Sequence, residues 1–157
     1  METEQARWAA QLREVPRTFR SALTTNERTL RHRPAPGEWS AIEVLGHMID
    51  KMSHWSLRVE CIWQEERPAL PGYDQDAEVR DHGYQQADPA MLLNALEQQC
   101  ERFATLVAEL PASALAREGV HEEYGPMTLR DCILAPLSSV RPHLEQLRTA
   151  QEAAPAS

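Results

Sequence analysis

PAPGEWSAIEVLGHMID, residues 34–50, decides how the rest of the chain is read. A loop rich in proline and glycine ends at Ser40, and Ser40-Ala-Ile-Glu43 is a capping box. In such a box the serine and glutamate side chains each satisfy a backbone N–H that the first helical turn leaves free. Behind it Ile42, Leu45, Ile49, Met52, Ser56, Val59 and Trp63 recur near one helix face. Trp39, just before the serine, is placed to staple onto Val44. A long amphipathic helix therefore begins at residue 40.

Three other segments carry the same period. Trp8, Leu12, Val15, Phe19 and Leu23 form the first, which Pro16 is expected to kink or split near residue 15. Asp88-Pro89, an N-cap followed by proline at the first helical position, opens the third. Leu93, Leu96, Cys100, Phe103, Val107 and Leu110 line it until Pro111. Thr128 to Asp131 caps the fourth, followed by Leu129, Ile133, Leu137, Val140, Leu144 and Leu147. Alternating Val/Ile/Thr runs and Asn-Gly turns are missing from the sequence. The pattern predicts an all-α four-helix bundle with a long connection, Arg67 to Ala87, between helices two and three. That length can cross the bundle and lets these two helices run parallel. One domain is expected over 1–152, with a frayed tail at 153–157.

Charge narrows the function classes. With 24 acids against 16 bases the net charge is −8, and no basic footprint for nucleic acid is visible. The tightest basic cluster, Arg28, Arg31, His32 and Arg33, reads as cations at a helix end. No apolar run is long enough for a membrane span, and the acidic, amphipathic N-terminus is unlike a signal peptide. A cytoplasmic protein is expected. Cys61, Cys100 and Cys132 lack C-x-x-C spacing and read as small buried hydrophobes in a reducing compartment.

The chemistry-bearing residues start on the second helix. Glu43, His47, Asp50 and His54 follow one another at steps of four, three and four, a polar stripe beside the apolar seam. The stripe suits a metal, a proton relay or a solvated face with helical ion pairs, and spacing does not choose among them. One helix cannot close a site, so a partner helix must contribute. The fourth offers His143. A zinc-type pair wants a second histidine four residues away, and Ser139 stands there, a neutral and poor ligand. Pro142 is expected to bend this helix. His121 and Glu122, in HEEYGPM, are further candidates or a solvated loop, and Trp55 and Trp63 read as core or dimer-face residues.

Taken in order, PAPGEWSAIEVLGHMID, GYDQD, YGPMTLRDCIL and HLEQLR resemble the signatures of the DinB-like superfamily, which includes bacillithiol transferases and mycothiol-dependent maleylpyruvate isomerases. The resemblance implies a four-helix bundle, often dimeric, with nickel or zinc held by three histidines. The metal would bind a low-molecular-weight thiol and activate it for transfer, in a stress-linked role. His47 matches the first ligand and His143 the last, while Ser139 falls where the middle histidine is expected. Asp50 and His54 are the possible substitutes. The expectation is a degenerate metal site with weak or no metal binding and, if active, thiol-transferase-like chemistry. The alternative is a metal-free bundle that binds a small ligand or serves as a structural homodimer. Leu57, Ile62 and Trp63, partly off the main stripe, predict the dimer.

Overall fold

The computed structural model describes residues 1–156, so Ser157 of the expected tail lies outside the described residues. Four long helices carry the fold: α1 (Glu4–Ala22), α3 (Ala41–Gln64), α5 (Pro89–Glu109) and α6 (Leu129–Glu152). Short helices α2 (Glu27–Leu30) and α4 (Gln75–Asp81) lie in the connections. Both predicted capping boxes are present: Ser40 with Glu43, and Thr128 with Asp131. Asp88 caps α5 by accepting the Ala90 N–H.

Side-chain pairs fix the helix directions. Arg13 meets Glu101 and Arg20 meets Glu97, so α1 and α5 are antiparallel. Arg130 meets Glu4 while Gln151 reaches Ala22, so α6 runs parallel to α1. The ring of His47 meets that of His143, while Arg117, twelve residues ahead of α6's first residue, bonds the Ile62 carbonyl. These contacts set α3 antiparallel to α6, and hence parallel to α5. The long connection does join two parallel helices. Its residues are not structureless, for they hold β1 (Ala69–Leu70), α4 and a 3₁₀ turn at Tyr84–Gln86.

A small sheet was not legible in the sequence. β1 pairs in parallel with β2 (Glu118–His121), which pairs antiparallel with β3 (Gly125–Thr128), with Leu70 opposite His121 and His121 opposite Gly125. Strands of two to four residues are too short for alternation to show. The sheet fastens the long connection to the hairpin that leads into α6.

The core joins Leu12, Phe19, Leu45, Met52, Leu96, Phe103, Ile133 and Leu147, all fully buried. Two expectations are corrected here, the split at Pro16 and the exposed dimer face. α1 passes Pro16 without a break, because its buried face against α5 and the Arg13 and Arg20 pairs hold it across one missing backbone bond. Likewise α6 runs unbroken through Pro136 and Pro142. Of the three residues offered as a dimer face, Ile62 is fully buried and Trp63 packs against the core, which leaves Leu57 exposed. Cys100 and Cys132 are buried as expected, and burial pushes both thiols up to about 12. The basic cluster is absorbed locally: Arg31 pairs with Glu27 and Arg33 with Glu43. Among the described residues, no helix is long and apolar enough to cross a membrane.

Candidate metal centre

His47, on the core side of α3, is completely buried, and neither ring nitrogen has a hydrogen-bond partner among the described residues. Burial first, then the fields of His143 and Lys51, push its pKa down to about 3, so the ring is neutral. The His143 ring meets it edge-on, with centroids 4.6 Å apart and planes at 71°. Nδ1 of His143 lies 3.0 Å from the Gln146 amide oxygen. An amide oxygen only accepts, so Nδ1 carries the proton and Nε2 keeps its lone pair. Burial also lowers the pKa of His143, against the Gln146 bond that raises it. Two neutral imidazoles therefore face each other between α3 and α6.

Trp39 closes the pair from the side, its ring 4.6 Å from that of His47 and tilted by 40°. It packs against the core, as a residue before an N-cap should, but it also forms a wall of the cavity that His143 opens into. That cavity measures about 490 Å³ and is bounded by Trp39, Gln75, His143 and Gln146. The structural reading of Trp39 was therefore only half of its role.

Ser139 does not complete the pair. Its hydroxyl donates to the Pro136 carbonyl at 2.7 Å, within its own helix. Asp50 and His54 are engaged on the α4 side of α3. One Asp50 oxygen accepts the Tyr84 hydroxyl at 2.5 Å and lies 3.0 Å from Nδ1 of His82. Burial raises the Asp50 pKa, and the Tyr84 and His82 contacts pull it back. Its other oxygen is buried without a partner among the described residues. His54 Nε2 lies 2.9 and 2.8 Å from the two Glu78 oxygens, and its ring stacks on Tyr73 at 3.7 Å. Among the described residues, one group of three ligand-type side chains brings its atoms within 4.8 Å of one another: Asp50, Glu78 and His82. No such group contains both His47 and His143.

These donor sets answer differently to a metal. At His47 and His143 two imidazoles are available, the seryl oxygen is turned away, and the positive field of Lys51 reaches both rings. The residues present do not fit a three-ligand centre, in which a zinc-type ion takes three protein ligands and one exchangeable position. The Asp50 group offers two carboxylates and an imidazole, a set suited to a harder divalent ion, with one buried oxygen still free.

The remaining candidates lie at the end of β2 and in the turn after it. His121 is buried on β2, where Nδ1 accepts the backbone N–H groups of Glu123 and Tyr124 at 3.0 and 3.2 Å, while Glu122 is exposed. The sequence reading missed Glu78, His82 and Tyr84, all in the long connection, whose contribution depends on where α4 folds back over α3. It also passed over Lys51 and Arg58. Their signal was available, since both share the helical face of His47 at steps of four and seven.

Comparison with known proteins agrees with this architecture. The chain resembles "Putative metal-dependent hydrolase OB0782" of Oceanobacillus iheyensis, 23% identical over 125 residues that span 78% of this chain and 71% of that protein. Its fold is similar to that of YfiT from Bacillus subtilis, described as "a probable metal-dependent hydrolase with an unusual four-helix bundle topology". That match has a TM-score of 0.85 at 22% identity and covers 97% of this chain and 89% of the other. A family model described as the DinB superfamily matches residues 11–147. The chain belongs to the DinB superfamily.

Proposed function

We propose that this protein binds a small molecule in the cleft beside His47 and His143, at a position that holds divalent metal weakly and supports little or no metal-dependent thiol transfer. The observation that carries the reading is the buried His47 ring with both nitrogens unpartnered. An unmade buried hydrogen bond costs about 1–3 kcal/mol, so the ring is arranged for something that enters the cleft. His143, neutral and open to the cavity, has the lone pair of a general base and the Gln146 bond that orients it. Ser139 in place of an imidazole supports the loss of metal affinity.

A second reading is favoured by the free Asp50 oxygen. A divalent ion at Asp50, Glu78 and His82 would satisfy it and would accord with the metal dependence in the names of the similar proteins. Metal analysis of untagged protein separates the two. The first reading predicts far less than one tightly held ion per chain. One ion lost in Asp50→Asn and kept in His47→Leu establishes the second. One tight ion lost in His47→Leu overturns the first.

A further inference from the structure

Lys51, Arg58, Tyr73 and His121, four side chains that can donate hydrogen bonds, line a second cavity of about 350 Å³, and among the described residues only Arg58 has an acceptor, the Pro71 carbonyl. Lys51, one turn beyond His47, has no hydrogen bond or ion pair among the described residues. Arg58, one further face-step along α3, is 5% exposed. Its guanidinium lies 4.3 Å over the Trp55 ring, and Nη2 donates to the Pro71 carbonyl at 2.9 Å. This fixes the guanidinium, and Arg58 is among the residues that line the cavity. His121 is held by two backbone N–H groups on Nδ1, so its Nε2 carries the proton and has no partner among the described residues. The Tyr73 hydroxyl is likewise without an acceptor among the described residues, and it too lines the cavity.

Cations are scarce in this chain, whose net charge is −8, yet two are drawn into one half-closed site. Burial lowers the pKa of each, which means that the fold tolerates their charges rather than relieving them. Glu122 favours the Arg58 charge without pairing with it, and the two carboxylates that line the cavity make no ion pair with either cation. Asp74 and Glu123 are exposed, Asp74 caps α4 by accepting the Ala77 N–H, and neither is within ion-pair distance of Lys51 or Arg58. A planar or tetrahedral oxyanion matches these donors, since the Arg fork takes two oxygens and the other groups approach from the sides.

We infer that the Lys51, Arg58, Tyr73 and His121 cavity binds the oxyanion head, carboxylate or phosphate, of a small molecule whose other end reaches the His47 and His143 pair. Gln75 lines both cavities, and Lys51 stands one helical turn beyond His47 on the same face of α3. The inference extends the small-molecule reading of the cleft but does not require a metal there.

Isothermal titration of metal-free full-length protein, kept in chelator, with inorganic phosphate and separately with succinate tests it. One site per chain is expected for at least one probe, and the stronger of the two names the head group. Lys51→Met should weaken that probe about tenfold, Lys51→Arg should restore most of it, and Tyr73→Phe should weaken it by less. If Arg58→Met keeps its helical circular dichroism, it should weaken binding at least as much as Lys51→Met. Neither probe binding below about 10 mM, or Lys51→Met binding as wild type does, overturns the inference. Because metal is excluded, failure here leaves the metal analysis that separates the two proposed functions untouched, and the converse also holds.

Discussion

The ring of Tyr84 lies on the bare backbone of Gly46, and that contact is what delivers the Tyr84 hydroxyl to Asp50, one turn further along α3. A Cβ built at Gly46 would stand 2.1 Å from the Tyr84 ring, far inside any real contact. The hydroxyl donates to Asp50 at 2.5 Å. A glycine within the long buried helix thus positions the long connection over the acidic side of the site.

Gly46→Ala weighs helix propensity against this contact. Alanine favours a helix interior by about 1 kcal/mol over glycine, whereas overpacking costs about 1–3 kcal/mol and more where a ring must leave. The net expectation is destabilisation of about 1–2 kcal/mol in urea denaturation, with the Tyr84 to Asp50 bond lost. A stabilised variant would show that Tyr84 does not pack there.

Acid should loosen the fold through His47. Its folded pKa of about 3 is depressed below the ordinary 6.5, so the unfolded chain binds the proton first. The stabilisation is complete above the unfolded value and is lost as pH falls from 6.5 toward 3, with a slope of up to about 1.4 kcal/mol per pH unit. His47→Leu in chelator should therefore lose less stability than wild type between neutral pH and pH ~4. Equal slopes for the two proteins, measured by denaturation at each pH, would place His47 in contact with water.

Glu43 ties the entry loop to α3. Its buried carboxylate accepts from Nε and Nη2 of Arg33 at 2.7 and 2.9 Å and also accepts the Ser40 N–H that completes the capping box. Burial raises its pKa, and Arg33 and Ser40 together more than reverse this. Glu43→Ala removes the reciprocal half of the capping box and the Arg33 pair and leaves the buried Ser40 N–H unmet, at an expected cost of about 2 kcal/mol by urea denaturation. A change under about 0.5 kcal/mol would mean that water replaces the carboxylate.

The four helices were legible because each has a long apolar period and a cap whose chemistry is local: Ser40 with Glu43, Asp88 with Pro89, Thr128 with Asp131. His47 and His143 were legible from their motif contexts, and the fold places their rings in contact. The acidic group was not, because Asp50 meets Glu78 and His82 only after some 30 residues of chain have folded back over α3. Nor did sequence separate Glu43, Asp50 and His54, which share a helical stripe but are claimed by Arg33, Tyr84 and Glu78 in turn. The short strands and α4 owe their form to tertiary packing rather than to periodicity.

Ser139→His bears most directly on the histidine site, because it restores an imidazole four residues before His143 on the same face of α6. The measurement is calorimetric titration of nickel or zinc into chelator-stripped wild type and Ser139→His. Weak, substoichiometric binding to wild type is predicted, against one ion per chain bound at least about a hundredfold more tightly by the variant, with a matching gain in thermal stability. Tight binding of one ion by wild type, abolished by His47→Leu, would contradict the claim that serine at 139 has disarmed this centre.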